Sequence, residues 1–453
     1  MSKGNVLNKN FFRLNFYNKM NLEERIQKFF NFELKLSEQE LKYWDIYRHD
    51  LFQVVVYDSE TQKKNNKNKK TINEVFRIIV NLFIGFIHYS ILQINGKKKN
   101  LFFLCKRYKI DNLFIDVNAN DFINNINNLF IIDTYNKPDY IFALYNKTHK
   151  IDTGYLRGEI TDDFINKINS YFSNNINRSF FEIRIEKYLQ EFNFYSRIFR
   201  KLKPKSVFFI QNGIFKGRIK AAKVLNIPTI EIQHGEFGLS HPAYFYPYGF
   251  KSSDIIAADY LFVWSEFWKN RIYFPGVNII PMGNSYYCNN ISTERKLYNI
   301  SVFTNSTHTP ILNSFVKKLI DTGFSGNICY KLHPQQVNEF NTIKECWKDY
   351  PNVDVILFEK NAIDVIKESN AILLIHSTVA FQAVDMNCKV IFYTVIDEYL
   401  AQKDLFNYPN VYLANSLEEF DYAMRQPIKK STSKIYDDFD KVRFKQFVQK
   451  YNL

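Results

Sequence analysis

Short apolar runs alternate with amphipathic segments between residues 201 and 290. The runs KSVFFIQN, IPTIEIQHG, DYLFVWS and NIIPMGN have the length and the β-branched or aromatic content of strands. Between them, GRIKAAKVLN and EFWKNRI carry apolar residues at helical spacing. Strands that alternate with helices over short connections predict a parallel sheet that is covered by helices on both faces.

The same alternation begins again after TERKLYN (293–299), whose polar composition predicts a linker. The predicted strands are ISVFTNST, NICYKLHP, VDVILFE, AILLIHST and KVIFYTV, and the predicted helices are PILNSFVKKLIDTG, AIDVIKESN and VAFQAVDMN. This pattern predicts an α/β protein with two doubly wound, Rossmann-like units in tandem. Ligands of such sheets bind beyond the carboxyl ends of the strands.

Residues 1–200 are less regular and mostly helical in pattern, with one strand predicted in LFFLCKRYKIDNLFID. IIVNLFIGFIHYSILQI (78–94) is apolar but is interrupted by polar residues, and we interpret it as a buried helix. QKKNNKNKK (62–70) predicts an exposed loop. The predicted domains are 1–290, with irregular or helical elements over 1–200 and a regular unit over 201–290; 291–435; and a C-terminal helix at 436–453 that packs back on the first domain.

The net charge of the chain indicates the class of its binding partners but does not select one partner within it. A formal net charge of +14 and a pI near 9.2 favour polyanions, which include nucleic acid, an anionic membrane and phosphate-bearing substrates. The cysteines are widely spaced with no Cys-x-x-Cys pair, a pattern typical of a reducing compartment and not of a zinc site. The N-terminus lacks the apolar segment of a signal peptide, so we expect a cytoplasmic protein.

Lysines flank the apolar segment at 78–94. A basic cluster beside an apolar helix can hold a protein on the inner face of an anionic membrane, and each cation contributes about 1 kcal/mol. The alternative is a solvated loop that only keeps the protein soluble. The flanking residues are Lys63, Lys64, Lys67, Lys69, Lys70, Lys97, Lys98 and Lys99.

Most of the histidines lie at or just beyond the carboxyl end of a predicted strand. If the two sheets face each other across a cleft, these strand ends meet there. A single histidine at a strand end is more often structural than catalytic, so the recurrence carries the signal. The residues are His234, His241, His308, His333 and His376.

The stretch QHGEFG places two titratable side chains beside two glycines. His234 and Glu236 are both candidate general bases, and His234 titrates near working pH without special tuning. Gly235 and Gly238 would allow close backbone approach and a positive φ, as active-site loops often require. We therefore expect this loop to carry the catalytic base.

The stretch KLHP ends a strand with three residues suited to a phosphate. Pro334 fixes the turn, His333 can donate to a phosphate or to a cytidine edge, and Lys331 supplies charge. An ordinary strand-terminating turn is the alternative.

Hydroxyl residues precede two predicted helices. Ser377 and Thr378 in HSTVAF either cap the helix or hold a phosphate with its free backbone N–H groups. Ser306 and Thr307 in TNSTHTP repeat the arrangement in the first loop of the second unit.

The ordered set QHG, KLHP and HST, followed by FQAVDMNCKVIFY, resembles the bacterial GT-B glycosyltransferases of surface polysaccharide synthesis. It is most similar to the CMP-sugar users of capsule and lipooligosaccharide assembly, the sialyltransferase-like and Kdo transferase-like enzymes. These share a His-Pro motif and a Ser-Ser/Thr motif for CMP. The resemblance covers residues 205–395.

The resemblance implies a GT-B-like fold with helical N-terminal elaborations and a metal-independent transfer without a cofactor. A CMP-activated acidic sugar, such as sialic acid or a Kdo-like sugar, would bind to the second unit. A glycan or lipid-linked glycan acceptor would lose its proton to His234 or Glu236. The implied donor-binding residues are Lys331, His333, Pro334, Ser377, Thr378, Ser306 and Thr307.

Two other functions stay open at this point. The set is also similar to CDP-glycerol and ribitol-phosphate transferases, in which a His-Gly motif carries the proposed base. Moreover, related sialyltransferases carry an acidic-acidic-Gly motif as base, and this chain has no such tripeptide. A basic nucleic-acid-binding protein is a third hypothesis, although no nucleic-acid-binding fold signature supports it and we expect no nucleic-acid partner.

Overall fold

The computed structural model describes residues 20–57, 91, 94–104, 108–110, 113–133, 160–210, 212–288, 296–430 and 434–453. These residues divide into two compact units. The first-sheet unit contains residues 32–288 and 434–453, and the second-sheet unit contains residues 20–31 and 296–430. Cys105, the predicted loop at 62–70 and nearly all of the apolar segment at 78–94 lie outside the described residues.

Two six-stranded sheets, in which all paired neighbours are parallel, form the centres of the two units. The strands are β1 (Asn100–Leu104), β2 (Tyr108–Ile110), β3 (Leu113–Ile115), β4 (Leu129–Asp133), β5 (Ser206–Ile210), β6 (Thr229–Ile232), β7 (Tyr260–Val263), β8 (Asn278–Pro281), β9 (Tyr298–Thr304), β10 (Ile328–Leu332), β11 (Val353–Ile356), β12 (Ser369–Leu374), β13 (Lys389–Tyr393) and β14 (Val411–Ala414). Strands β2 and β3 form a separate antiparallel pair.

Helices connect these strands. The α-helices are α1 (Leu22–Glu33), α2 (Glu38–Leu41), α3 (Trp44–Tyr57), α4 (Asn120–Ile123), α5 (Asp162–Phe172), α6 (Arg178–Leu202), α7 (Lys216–Lys223), α8 (Glu266–Asn270), α9 (Ser285–Cys288), α10 (Thr309–Asp321), α11 (Phe340–Cys346), α12 (Ala362–Lys367), α13 (Val379–Asp385), α14 (Leu417–Arg425) and α15 (Lys441–Tyr451). The 3₁₀ segments are Asn212–Ile214, Ser252–Asp254, Pro334–Asn338 and Asp397–Leu405.

The first sheet has the strand order β4-β1-β5-β6-β7-β8. Phe103 and Phe209 on β1 and β5 face a core built with α6 and α7, and the alternate residues Phe102 and Phe208 face the opposite core with α15. Because side chains alternate across a strand, this arrangement buries both faces of the sheet. The near-continuous apolar runs of the sequence are the consequence.

Two strands of the first sheet come from the region for which the sequence predicted irregular or helical elements. Strand β1 lies inside the predicted LFFLCKRYKIDNLFID strand, whereas β4 was not predicted. The β4 sequence LFIID is short and follows the asparagine-rich FINNINN, so its strand character depends on its parallel pairing with β1.

The second sheet has the strand order β11-β10-β9-β12-β13-β14, which is the 3-2-1-4-5-6 order of Rossmann folds. Its order reverses between β9 and β12, the two strands next to the point at which ligands bind in such sheets. The predicted fold class, α/β with two Rossmann-like units of GT-B type and helical N-terminal additions, is therefore confirmed. The domain bounds stay a prediction.

The C-terminal segment belongs to the first-sheet unit. The rings of Phe447 and Phe262 pack at 5.0 Å between centroids, which places α15 against the sheet. Ahead of α15, the amide of Asp437 donates to Trp264 O at 3.0 Å, and Asn284 N donates to Asp437 O at 2.8 Å. Gly283 has a φ of +78°, and a Cβ there would lie 1.9 Å from Asp438 O. Residues 434–440 therefore lie over the carboxyl ends of β7 and β8.

Candidate functional site

The second sheet gathers polar side chains where its strand order reverses. His308 follows β9, and His376 with Ser377 follows β12, the neighbouring strand. His333 follows β10 on the other side of β9. Because the carboxyl ends of parallel strands lie at the same edge of a sheet, the sequence predicted that these residues share one edge. The observed strand order places them on one edge.

His308 and Glu398 form a largely buried pair at this edge. Their Nε2 and Oε2 atoms are 2.8 Å apart, and the His308 side chain is 2% exposed. Asn305 Oδ1 accepts from the amides of Thr307 and His308, so its amide nitrogen faces His308 Nδ1 at 3.1 Å. His308 Nδ1 therefore accepts, and Nε2–H donates to Glu398.

The carboxylate of Glu398 is stabilised in its charged form. Burial alone would raise its pKa, but the hydrogen bond from His308 and electrostatic interactions with His308, His376 and Arg25 lower it. Next to it, Asp397 accepts two 2.9 Å hydrogen bonds from Arg25 of α1. The segment after β13 thus presents an anionic group that can accept hydrogen bonds from ligand hydroxyls.

His333 caps the 3₁₀ segment that begins at Pro334. Its Nδ1 accepts from Gln335 N at 3.2 Å, and its own amide donates to Gln336 Oε1 at 3.0 Å. Because Nδ1 is the acceptor, the neutral imidazole carries its proton on Nε2. The exposed ring is therefore both the predicted turn element and a possible donor to a phosphate oxygen.

Gln336 links the loops after β9 and β10. This fully buried amide donates to Thr309 Oγ1 at 2.9 Å and to Glu339 Oε2 at 3.0 Å. Ser306 donates to the other oxygen of Glu339 at 2.5 Å. Ser306 and His333 therefore belong to one hydrogen-bonded network, while Thr307 is exposed beside it.

Lys331 differs from its predicted role as a charge for a phosphate. Its Nζ donates to Leu357 O at 2.5 Å and to Leu332 O at 3.2 Å, and the residue is 6% exposed. Burial lowers its pKa, against the opposing charges of Cys329 and Glu359. This geometry is typical of a structural lysine that satisfies backbone carbonyls at the ends of two strands.

Ser377 and Thr378 precede the short helix α13. Ser377 Oγ accepts from Val379 N at 3.3 Å, and Thr378 makes no side-chain capping bond. Fully buried Gln402 clamps the Ser377 backbone, because its Nε2 donates to Ser377 O at 2.7 Å and its Oε1 accepts from Ser377 N at 3.3 Å. The segment after β13 thus fixes the backbone at Ser377.

In the first-sheet unit, Gln233 fixes the start of the loop that carries His234. Its Oε1 accepts from Trp264 N at 2.9 Å, and its Nε2 donates to Gly235 O at 2.9 Å. The residue is fully buried. His234 therefore starts from a backbone that is tied to the neighbouring strand end.

Glu236, the second candidate base, faces an arginine. Arg271 Nη2 lies 3.4 Å from Glu236 Oε1, and both side chains are less than 10% exposed. Arg271 Nε also donates to Phe237 O at 3.0 Å. Because the carboxylate is buried beside a guanidinium, this geometry favours His234 over Glu236 as a proton acceptor.

The two loop glycines act differently from expectation. Neither Gly235 nor Gly238 has a positive φ, so that part of the prediction is wrong. Gly238 does permit close approach, since a Cβ there would lie 3.0 Å from Arg271 Nη2, whereas a Cβ on Gly235 would meet nothing within 4 Å. A glycine at position 238 therefore leaves space for the Arg271 side chain, and its backbone conformation is one that other residues also adopt.

Aromatic rings surround the imidazoles of this loop. Phe237 and Tyr244 stack at 3.5 Å between centroids, His234 contacts Phe237 at 5.4 Å, and His241 contacts Tyr244 at 4.8 Å. Tyr244 also donates its hydroxyl to the fully buried Glu231 of β6. The imidazoles of His234 and His241 therefore pack against aromatic rings.

Several residues of these edges carried little signal in the sequence. Glu398 and Gln402 lie in DEYLAQKDL, a polar stretch without strand or helix periodicity, and Arg25 lies far away in the chain. The acidic pair after KVIFYTV was the one available hint, because that run is a predicted strand. The contacts of these residues depend on the order of the strands in the sheet, which the sequence alone did not predict.

A cavity of about 650 Å³ lies beside edge strand β8. Tyr260, Lys269, Ile280 and Tyr451 are among the residues that line it, and none of the predicted site residues does. The chemistry described above therefore does not coincide with this cavity.

Metal and membrane features can be stated for the described part of the chain. No group of three or more His, Cys, Asp or Glu side chains within it is placed to hold a metal ion. Among the helices in those same ranges, none is long and apolar enough to cross a bilayer.

Comparisons with known proteins found matches among solved structures at low sequence identity. No family model matches the chain, and no curated protein does. UDP-GlcNAc 2-epimerase from Methanocaldococcus jannaschii superposes with a TM-score of 0.47 at 13% identity, over 78% of this chain and 99% of that one. The Neisseria meningitidis epimerase bound to UDP-GlcNAc gives 0.47 at 12% identity, over 78% and 100%. MurG from Acinetobacter baumannii gives 0.38 at 12% identity, over 70% and 86%.

Proposed function

We propose that this chain is a sugar-nucleotide-dependent enzyme, and more narrowly a glycosyltransferase that uses a CMP-activated acidic sugar. The observation that carries the proposal is the collection of His308, His333, His376 and Ser377 at the edge where the order of the second sheet reverses. Doubly wound sheets bind nucleotides at that point. The resemblance of KLHP and HST to CMP-binding motifs is the reason for choosing a cytidine nucleotide.

In the proposed reaction, an acceptor hydroxyl oxygen attacks the anomeric carbon of the donor sugar. The bond from that carbon to the phosphate oxygen breaks, and CMP leaves with the electron pair. His234 takes the acceptor proton. Positioned bases of this kind contribute roughly 10²- to 10⁴-fold to rate, and fixed donors on a leaving phosphate usually contribute more.

The donor roles divide among the loops of the second-sheet unit. His333 Nε2–H and the hydroxyls of Thr307, Ser377 and Thr378 are hydrogen-bond donors for the CMP phosphate. Ser306 is not counted among them, because its hydroxyl already donates to Glu339. Glu398 is the acceptor for sugar or ribose hydroxyls. Lys331 is left out of the phosphate-binding set, because its ammonium group is directed at two backbone carbonyls.

A donor panel tests this assignment by thermal shift. We expect CMP-sialic acid or a CMP-Kdo sugar to stabilise the protein, since a ligand at 100 times its Kd adds about 2.7 kcal/mol to the free energy of unfolding. UDP-GlcNAc, which is bound in the Neisseria meningitidis epimerase structure, and CDP-glycerol complete the panel. Stabilisation by either of these and not by a CMP-sugar would contradict the CMP assignment.

We also propose that the first-sheet unit attaches to an anionic membrane, which would bring it to lipid-linked acceptors. Lys98 N donates to Leu202 O at 2.9 Å, and Lys205 N donates to Lys99 O at 3.1 Å, so two lysine-rich segments lie side by side. Ile91 and Ile94, on the N-terminal side of the first segment, are 42% and 77% exposed. The lysines are Lys97, Lys98, Lys99, Lys201, Lys203 and Lys205.

Sedimentation with vesicles tests the attachment. We expect binding to phosphatidylglycerol vesicles that weakens with added salt and is reduced when Lys97, Lys98, Lys201 and Lys203 become glutamine. The control changes the same charge at exposed lysines of the other unit: Lys318, Lys344, Lys429 and Lys430. Equal binding by the two variants, or binding to neutral vesicles alone, would contradict attachment by this surface.

A further inference from the structure

One arginine of the N-terminal helix α3 holds the backbone of the loop that carries His234. Arg48 Nη1 donates to Pro242 O, and Arg48 Nη2 donates to Phe245 O at 3.0 Å. Its guanidinium also lies over the ring of Tyr246, 4.1 Å from the centroid. Residues nearly two hundred positions apart in the chain are thereby joined.

Glu33 fixes this guanidinium from the other side. Arg48 Nε donates to Glu33 Oε1 and Arg48 Nη2 donates to Oε2 at 2.7 Å, while Trp44 Nε1 donates to Oε1 at 2.5 Å. The Arg48 and Glu33 side chains are 1% and 0% exposed. Burial raises the pKa of Glu33 despite the opposing effect of Arg48. Because removing both charges from water costs free energy, such a pair stabilises the fold only weakly. Its main effect here is to fix the orientation of the Arg48 guanidinium.

The contacts of Arg48 lead directly to the imidazoles. Pro242 and Phe245 flank Tyr244 in the chain, and the Tyr244 ring contacts His234 at 6.1 Å and His241 at 4.8 Å between centroids. The Tyr244 hydroxyl is held by Glu231. A shift of the two carbonyls therefore displaces the ring against which both imidazoles pack.

We infer that Arg48 is a positioning residue for His234, acting through the Pro242 and Phe245 carbonyls and the ring of Tyr244. The inference rests on the proposed function only for the catalytic role of His234. It assigns to the N-terminal helices, for which no sequence motif indicated a role, the task of fixing the His234 loop.

The chain offers a matched control in the same unit. Arg218 and Glu191 form a second buried pair, with Nε 2.6 Å from Oε1 and side chains 6% and 4% exposed. Arg218 contacts α6, β1 and the residue before α7. Arg48→Lys and Arg218→Lys therefore disturb similar ion pairs, of which the first binds the loop at Pro242 O and Phe245 O and the second binds α6.

The test uses the full chain without substrate. Lysine has one point-like donor group and cannot reproduce the planar fork of arginine, so both variants should lose thermal stability. In Arg48→Lys, amides of residues 235–246 should exchange with solvent about tenfold faster, and the NMR titration of the His234 ring should shift, whereas Arg218→Lys should change neither. Glu33→Gln provides a second variant with the same expected pattern if Arg48→Lys does not fold.

An unchanged exchange rate and an unchanged His234 titration in Arg48→Lys would overturn the inference. Equal changes in Arg48→Lys and Arg218→Lys would also overturn it, because they would show only a general loss of stability. Failure of the proposed function gives a different result: His234→Ala would then keep wild-type turnover, whatever the exchange data show.

Discussion

The two sheet edges carry their polar residues in different ways. In the second-sheet unit, loops after β9, β10, β12 and β13 hydrogen-bond to one another through Gln336, Glu339, Glu398 and Gln402. In the first-sheet unit, the imidazoles after β6 pack against aromatic rings, and a buried ion pair from distant helices holds their loop. The second edge is therefore held mainly by hydrogen bonds among its own loops, with Arg25 of α1 added at Asp397. At the first edge, Arg48 of α3 binds the loop of the imidazoles directly.

This difference has a functional consequence. A network of short polar side chains presents several fixed donors and acceptors, which suits a phosphate and the hydroxyls of a nucleotide sugar. An imidazole in an apolar environment suits proton transfer, because small changes in its surroundings move its pKa across working pH. This difference supports the proposed division of roles, with the sugar donor bound at the second edge and the general base at the first.

The largest expected effect separates the two candidate bases. His234→Ala should lower turnover by roughly 10²- to 10⁴-fold, while Glu236→Gln should cost less because Glu236 faces Arg271 and not a reacting proton. Steady-state turnover with the CMP-sugar that gives the largest thermal shift is the measurement. Equal losses in the two variants, or a larger loss in Glu236→Gln, would reverse the assignment.

The glycines of the first-sheet unit should differ strongly in their tolerance of alanine. Gly283→Ala should lower the free energy of unfolding by more than about 2 kcal/mol, because its φ is positive and the new Cβ would overlap Asp438 O. Gly235→Ala should stay within about 0.5 kcal/mol of wild type, because nothing lies near its Cβ. Denaturant titration measures both changes, and similar losses at the two positions would contradict the described backbone.

For the second edge, asparagine separates the two roles of His333. His333→Asn keeps a side-chain acceptor for Gln335 N but loses the Nε2–H group. The free energy of unfolding should therefore change by less than about 1 kcal/mol, while the affinity for the CMP-sugar falls about tenfold. His333→Ala should lose both properties. Isothermal titration with the CMP-sugar and thermal unfolding measure the pair. Full donor affinity in His333→Asn would show that the ring is only a cap.

The smallest expected effect concerns acid stability in the first-sheet unit. Burial would raise the pKa of Asp50, but its hydrogen bond with His49 and the charge of Arg184 lower it to about 2. A carboxylate with a depressed pKa stabilises the fold above its usual pKa, and this contribution is lost as the pH falls towards 2. The stability gap between wild type and Asp50→Asn should therefore narrow from pH 5 to pH 2. A gap that stays constant over this range would contradict the low pKa.

The sequence predicted the parts of this fold whose chemistry is local. Runs such as SVFFI and ICYKL are long enough and apolar enough to be strands in any context, so both sheets and the histidines at their ends were identified. Strands β4 and β14 and the segment at 397–405 were not predicted. Parallel pairing with β1 and β13 decides the two short strands, and the segment at 397–405 has a kinked 3₁₀ conformation without periodicity.

The partners of the site residues were harder to predict than their positions. The phosphate role of Lys331 was predicted from its charge, but the residue is buried on β10 and its ammonium group donates to two backbone carbonyls. Arg48 and Glu33 lie on helices with no motif, and their importance becomes clear only where the chain returns to them at Pro242. Long-range pairing of this kind leaves no periodic trace in one sequence.

The central claim is that the edge of the second sheet binds the donor nucleotide, and hydrogen exchange with and without CMP tests it most directly. We predict that CMP slows amide exchange in residues 305–309, 333–336 and 376–379 and leaves residues 233–246 unchanged. Protection confined to residues 233–246, or no protection at any concentration of CMP that shifts the thermal unfolding curve, would contradict the account.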